Sequence, residues 1–329
     1  MNIIVDAMGG DNAPDEVVKG CIMAAESFGE KITLVGVESE INRLLKKEGF
    51  AGGNIEVRGA TEVITGDDEP TSAIRQKKDS SLRVGLEMLH RDAGDVFVSA
   101  GNTGALIAGA TLIVKRIRGV RRVALAPLMP TENGCFLLVD AGANTECSPA
   151  FLKQFAIMGS IYMEKIMNID KPRVGLINIG SEEEKGTENI VEAGRLLKET
   201  PINYTGYVEG RGIPCGEVDV AVCDGFTGNV VLKFMEGMGI VVKDYFKKMF
   251  FRNALSKFSA LLVRGSLKEL AKTLDYTEYG GAPILGCMKP VIKAHGSSNA
   301  KAFYHAVRQA IEMVNKNIVG TIAENISQY

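Results

Sequence analysis

The stretch VFVSAGNTGA, residues 96–105, runs a short apolar strand-like segment directly into a turn of Gly101, Asn102, Thr103 and Gly104 and then into residues that favour helix. The same order recurs along the chain, in MNIIVDAMGGDNAP (1–14), FLLVDAGANTECS (136–148), VGLINIGSEEEKG (174–186) and VDVAVCDGFTGN (218–229). A further β-branched run, Ile32-Thr33-Leu34-Val35, falls between the first two. Short β-branched runs separated by helix-length stretches predict an α/β fold, a mostly parallel sheet with helices on both faces. Ligands of such sheets bind outside the carboxyl ends of the strands, so the glycine-rich turns are where chemistry is expected.

Composition narrows the class further. The chain has 329 residues, 46% of them hydrophobic, which is enough for a large core, and nothing in it resembles a low-complexity linker or a repeat. The whole of 1–329 is therefore read as one catalytic α/β unit, built as a single body or as two merged lobes. Lys plus Arg number 38 against 40 Asp plus Glu, so there is no global pull toward nucleic acid. No apolar run reaches the ~18 residues of a membrane span, and the N-terminus has no basic leader, which together predict a cytoplasmic protein. Cys21, Cys135, Cys147, Cys215, Cys223 and Cys287 are too scattered for a zinc or redox motif, and His90, His295 and His305 are too few for a histidine-rich site. No metal and no cofactor are expected.

Residues 230–275 depart from the strand–turn–helix rhythm. They lack Pro, are rich in Phe, Leu, Met and Lys, and predict two helices projecting from the body. Between 243 and 272 the cations Lys243, Lys247, Lys248, Arg252, Lys257, Arg264, Lys268 and Lys272 alternate with apolar residues, among them Leu255, Phe258, Leu261 and Leu262. A basic amphipathic pattern suits an anionic lipid surface or an acidic protein, and equally an interface helix packed on a second subunit. A final helix is predicted from about Ser298 to Val319, led in by His295-Gly296-Ser297-Ser298.

Glycine turns after strands expose backbone N–H groups to an anion, and the following helix start adds a favourable dipole. The turn 99–104 taken alone also fits a tight structural turn. No G-x-x-x-x-G-K-[ST], no strand-following G-x-G-x-x-G and no G-x-S-x-G occurs, which argues against nucleotide binding and a serine nucleophile. Lys185 stands after Glu182, Glu183 and Glu184 between a strand and a helix, either as a solvated helix start or as a point charge for phosphate or an oxyanion. Thr227 and Asn229 offer side-chain hydrogen bonds at another helix start, with capping as the competing explanation. His295 is a candidate for proton transfer or a structural histidine.

Taken together, the strings 6–14, 99–105, 140–144, 178–186, 223–233, 280–282 and 295–298 resemble, in order and end to end, the bacterial phosphate acyltransferase family. That resemblance implies a fold related to phosphotransacetylases and isocitrate-type dehydrogenases, a homodimer associated loosely with the membrane, and formation of acyl phosphate from acyl-acyl-carrier-protein and inorganic phosphate, early in phospholipid and phosphatidic acid synthesis. Its expected partners are acyl carrier protein, inorganic phosphate, an anionic membrane surface and a membrane glycerol-3-phosphate acyltransferase. It places Lys185 and Asn229 in the active site, while Asp6, Gly10, Gly101, Asn102, Thr103, Gly104, Gly142, Asn144, Thr227 and His295 share its motifs and are expected to hold phosphate or move protons. Phosphate is then itself the nucleophile, and no protein nucleophile is needed. Phosphotransacetylase activity on acyl-coenzyme A, a nicotinamide-dependent decarboxylase and a non-catalytic membrane scaffold are the competing readings.

Overall fold

Successive strands in this chain are fully apolar where they are central. Ile3, Ile4 and Val5, Val96, Phe97 and Val98, and Phe136 to Val139 have no measurable exposure, as parallel strands require when helices cover both faces. A computed structural model describes residues 1–265 and 279–326, with side chains for all of these except 254, 255, 257 and 260.

The strands form two sheets. The first contains β1 (Asn2–Asp6), β2 (Lys31–Gly36), β3 (Ile55–Gly59), β4 (Val96–Ser99), β5 (Ala124–Leu125), β11 (Ala282–Leu285) and β12 (Val291–Lys293), in the order β3-β2-β1-β4-β12-β11-β5. Its strands are parallel from β3 to β12, and β11 and β5 are added antiparallel. The second is β6 (Leu128–Thr131), β7 (Gly134–Val139), β8 (Val174–Ile177), β9 (Tyr204–Val208) and β10 (Val220–Val222), in the order β6-β7-β10-β8-β9 and parallel apart from β6. Both sheets switch direction. β1 is flanked by β2 and by β4, and β10 is inserted between β7 and β8, so each sheet has a crevice at the carboxyl ends of its central strands.

Helices α1 (Asp15–Phe28), α2 (Glu38–Lys47), α3 (Pro70–Gln76), α4 (Ser81–His90), α5 (Thr103–Gly109), α6 (Pro149–Ile166) and α7 (Glu188–Lys198) fill the intervals. Ile3, Val5 and Val98 of the first sheet share one contiguous apolar cluster with Leu137, Val139 and Val222 of the second, through Phe155, Tyr162 and Phe303. Inside it, Gln309 Nε2 donates to Tyr162 Oη at 2.7 Å, and Gln309 Oε1 accepts from the Gly281 N–H at 2.8 Å. That buried amide, satisfied on both sides, ties the core to a turn of the first sheet.

α8 (Gly225–Phe250) and α9 (Ala254–Leu262) form the described part of the helical segment expected over 230–275. No α8 residue after Gly228 is buried. Lys268 and Lys272 lie outside the described residues. No helix among the described residues is long and apolar enough to cross a membrane.

Two expectations are corrected. The last helix is divided into Ala300–Asn315 and Ile318–Ile326, because Asn317 adopts a left-handed φ of 47° that ends the first segment. Its cap is Asn299, which accepts from the Ala302 N–H at 2.9 Å, one residue beyond the expected Ser298.

α1 packs closely on the Ala300–Asn315 helix at Gly20, where a Cβ would lie 2.7 Å from the Ala300 carbonyl oxygen and 2.9 Å from Phe303 Cβ. Gly20→Ala gains about 1 kcal/mol of helix propensity and forces an overpacked contact costing about 1–3 kcal/mol. A net loss of urea stability is expected, and a gain would show that the two helices separate freely.

Candidate active site

Four glycines decide how the carboxyl ends of the strands come together. A Cβ on Gly9 would sit 2.4 Å from Asp6 Oδ2 and 2.7 Å from the Gly101 nitrogen, so the turns after β1 and β4 touch backbone to backbone. Gly10 has a φ of 110° and faces Ala100 and the Gly296 carbonyl. In the second sheet a Cβ on Gly225 would meet the Asn144 backbone at 2.7 Å, and one on Gly228 would lie 1.8 Å from the Asp140 carbonyl oxygen. The start of α8 is thereby pressed onto the turn after β7.

Between the two sets of turns lies a cleft of about 840 Å³. Gly10, Gly101, Asn102, Thr103, Gly104, Gly142, Asn229 and His295 all line it, so most of the expected site residues are brought together. The lining combines backbone-rich positions, among them Gly10, Ala100, Gly281 and Gly296, with apolar side chains, among them Leu128, Met129, Phe226 and Val230. Asn229 rests beside Gly142, where a Cβ would be 3.7 Å from Asn229 Oδ1.

Two buried carboxylates shape the turns from behind. Asp6 accepts from Ser99 Oγ at 2.7 Å and from the Met8 N–H at 3.2 Å, and Ser99 Oγ in turn accepts from the Gly101 N–H at 3.0 Å. Burial pushes the Asp6 carboxyl upward despite these bonds. Asp140 accepts through Oδ1 from the N–H groups of Leu125, Gly142 and Ala143, and through Oδ2 from the Asn144 N–H and Nδ2. Asn144 Nδ2 also donates to the Val123 carbonyl. Asp6 and Asn144 therefore stand outside the cleft lining, as supports for turns that do line it. Asn102 combines lining with support, since its Oδ1 caps α5 through the Ala105 N–H while its Nδ2 donates to the Thr65 carbonyl at 3.0 Å.

Thr227 and Lys185 also lie outside the lining. The Thr227 N–H and hydroxyl both donate to the Asp224 carboxylate, so capping of α8 accounts for it. Lys185 is on the loop after β8, with its ammonium 2.6 Å from Glu182 Oε1 and its side chain about half exposed. Asn178 Nδ2 donates to the Lys185 carbonyl, and the tight fit of Gly186 against Asn178 fixes the loop's return.

His295 Nδ1 is 2.9 Å from Ser297 Oγ, and its Nε2 is 3.5 Å from Glu236 Oε1. Glu236 also accepts from Lys233 Nζ at 2.9 Å. Burial acts to raise the Glu236 carboxyl, but the bonds from His295 and Lys233 prevail and hold it below the usual range. Sequence reasoning missed Glu236 and also Lys293, a lysine at the end of β12 that is only 8% exposed and lines the cleft. Its burial lowers its pKa to about 8. The signal available was a lysine closing a β-branched run, Val291-Ile292-Lys293, immediately before Ala294-His295-Gly296.

The cysteines nearest the cleft are buried thiols. Burial, with Asp140 and Asp224 nearby, pushes Cys147 up to about 12 and Cys223 well above the ordinary range. Neither supplies a thiolate near neutral pH.

Two α/β sheets opening onto one cleft place the chain in the phosphotransacetylase class of folds. A phosphotransacetylase from Streptococcus pyogenes superposes with a TM-score of 0.66 over 97% of this chain and 94% of its own, at 17% identity. A branched-chain phosphotransacylase from Enterococcus faecalis does so with a TM-score of 0.56 over 95% and 99%, at 13% identity. The family described as fatty acid synthesis protein matches residues 1–320. The phosphate acyltransferase of Thermoanaerobacter pseudethanolicus is 50% identical over 327 residues, covering 99% of this chain and 97% of that protein. That of Clostridium acetobutylicum is 46% identical over 329 residues, covering 100% and 99%. The chain belongs to the phosphate acyltransferase family and is an acyltransferase enzyme.

Removing the Asp140 carboxylate strands several buried N–H groups together, each bond to a charged group being worth about 1.5–3 kcal/mol. Asp140→Ala is expected to lose at least about 3 kcal/mol of stability by denaturant titration. Wild-type stability in that variant would remove Asp140 as the organiser of the 140–144 turn.

Proposed function

We propose that the enzyme transfers a fatty acyl group from acyl-acyl-carrier-protein to inorganic phosphate, by direct attack of a phosphate oxygen on the thioester carbonyl. The observation that carries this reading is a single cleft lined both by glycine-rich turns with Lys233 and Lys293 and by the apolar Leu128, Met129, Phe226 and Val230, with Cys147 and Cys223 buried outside the lining. A phosphate oxygen forms the new C–O bond, the tetrahedral oxyanion collapses, and the C–S bond breaks to release the carrier's phosphopantetheine thiolate. Catalysis then rests mainly on holding phosphate against the carbonyl, and preorganised donors are an effective means to it. The turns Gly101–Gly104 and Gly142–Asn144 hold the anion and Asn229 orients it. Lys185 supplies charge from the loop after β8. His295, linked to Glu236 and Ser297, moves protons. The product enters phosphatidic acid synthesis.

The second reading is a phosphotransacetylase acting on acyl-coenzyme A, which the fold neighbours favour. Comparing acyl-carrier and coenzyme A thioesters of the same chain length in one assay separates the two: a preference for the carrier thioester is expected, and preference for coenzyme A overturns the first reading.

Lys185→Ala is expected to lower phosphate-dependent turnover by about 10² or more with the fold intact. Asn229→Ala follows the same direction less severely, since a neutral donor contributes less than a charged one. Turnover near wild type for Lys185→Ala would take that residue out of the mechanism.

The enzyme works in the cytoplasm as a homodimer that touches an anionic membrane, where a glycerol-3-phosphate acyltransferase is the fitting consumer of its product. Phe258, Leu261 and Leu262 of α9 are 61, 68 and 73% exposed, a large apolar cost to leave in water. The Leu255 side chain lies outside the described residues. Leu261→Glu is expected to abolish sedimentation with anionic vesicles while leaving the dimer and acyl transfer in solution unchanged. Loss of the dimer with vesicle binding retained would assign α9 to the subunit interface.

A further inference from the structure

Lys293 sits where β1, β4 and β12 end side by side. It is paired in register with Ser99, the residue whose hydroxyl donates to Asp6, and it lines the cleft. Its ammonium donates to the Ala100 carbonyl at 3.1 Å and, through a short bond, to the Ala294 carbonyl. These two carbonyls open the turns 100–104 and 294–297, both of which line the cleft. An ammonium has three N–H donors, and these two bonds among the described residues leave a third.

A buried charge is unfavourable unless paired and hydrogen-bonded, and Lys293 has neither full solvation nor, among the described residues, a direct carboxylate partner. The attraction of Asp6 and Asp11 works toward the charged form; desolvation, the larger effect, and the repulsion of Lys233 work against it. Asp6 is already engaged by Ser99 and Met8, and of the other ionisable groups in the lining Glu236 pairs with His295 and Lys233, while Asp11 attracts Lys293 without a bond to it among the described residues. An oxyanion in the cleft is what would complete the coordination of the ammonium and compensate its charge. By contrast, Lys185 is solvated and paired with Glu182.

We infer that Lys293 is a phosphate-binding residue of the acyl transfer reaction, contacting an oxygen of inorganic phosphate from the floor of the cleft and locking the turns after β4 and β12 around it. This rests on the acyl-phosphate reading of the site. A lysine with its pKa lowered to about 8 is charged below that value and neutral above it, so phosphate affinity falls as pH rises through this region. Bound phosphate raises the value and shifts the fall upward.

The test is calorimetric titration of the full-length protein with inorganic phosphate, without acyl donor, in wild type, Lys293→Gln and Lys293→Met. Gln keeps an amide donor for the two carbonyls without the charge. At neutral pH both variants, with wild-type circular dichroism, are expected to bind phosphate at least about tenfold more weakly, the worth of one charged hydrogen bond. In wild type the affinity falls between about pH 7.5 and 9.5, where histidine is already neutral and ordinary lysines are still charged; in Lys293→Gln that fall is absent. A folded Gln variant with unchanged affinity overturns the inference. If neither variant folds, the wild-type profile decides alone, and a flat profile across that window overturns it. Binding through Lys293 without acyl phosphate formation by wild type would defeat the proposed reaction and leave only the phosphate contact of Lys293 standing. Acyl phosphate formation by Lys293→Gln with unchanged phosphate KM would do the reverse.

Discussion

Close backbone contact between turns is the constraint on which this site depends. The turns after β1 and β4 touch through Gly9 and Gly101, and the turn after β7 touches the start of α8 through Gly228, where any Cβ would occupy the space of the Asp140 carbonyl. Side chains at these positions would hold the strand ends apart. With glycine there, backbone N–H groups from separate turns reach a common cleft, and the helix starts behind them add partial positive charge. Two open α/β sheets, each with its own switch point, thus make a single site between them.

The electrostatics follow from that packing. Asp6 and Asp140 organise turns from outside the cleft lining; each is buried and accepts hydrogen bonds from the residues that line or support the cleft. Their burial is tolerable because those donors satisfy them. The cations on the cleft wall are of different kinds. Lys233 is largely exposed and paired with Glu236, whereas Lys293 is desolvated and bonded to neutral carbonyls. Chemistry that gathers an anionic nucleophile against a carbonyl gains most from the second kind, since water screens it least.

Much of this was legible in the sequence. β1, β2, β4, β7 and β8 stand out as apolar β-branched runs, and the turns after β1, β4, β7 and β10 mark the cleft. What escaped has physical reasons. β5 has two residues and β12 three, too short to show a period, and the division of the strands into two sheets depends on pairings distant in sequence. Lys293 was missed because a lysine ending a strand ordinarily reaches solvent. Here β4 and β11 flank it and the turns close over it, which only the register reveals. Asp6, Asn144 and Thr227 belong to motif turns, yet their side chains bond behind the cleft, Asp6 to Ser99 and Met8, Asn144 to Asp140 and Val123, and Thr227 to Asp224, a distinction no spacing carries. Asn317, whose left-handed turn divides the last helix, looks like any exposed helical asparagine.

The central claim is that phosphate attacks the thioester without a covalent acyl-enzyme. Purified protein incubated with acyl-acyl-carrier-protein and isotopically labelled inorganic phosphate tests it most directly, with products and protein followed by mass spectrometry. The account predicts labelled acyl phosphate in step with free carrier thiol, and a protein mass that never rises by an acyl group. Accumulation of an acylated protein on Cys147, Cys223 or Ser297, or release of free fatty acid with no label incorporated, would contradict it.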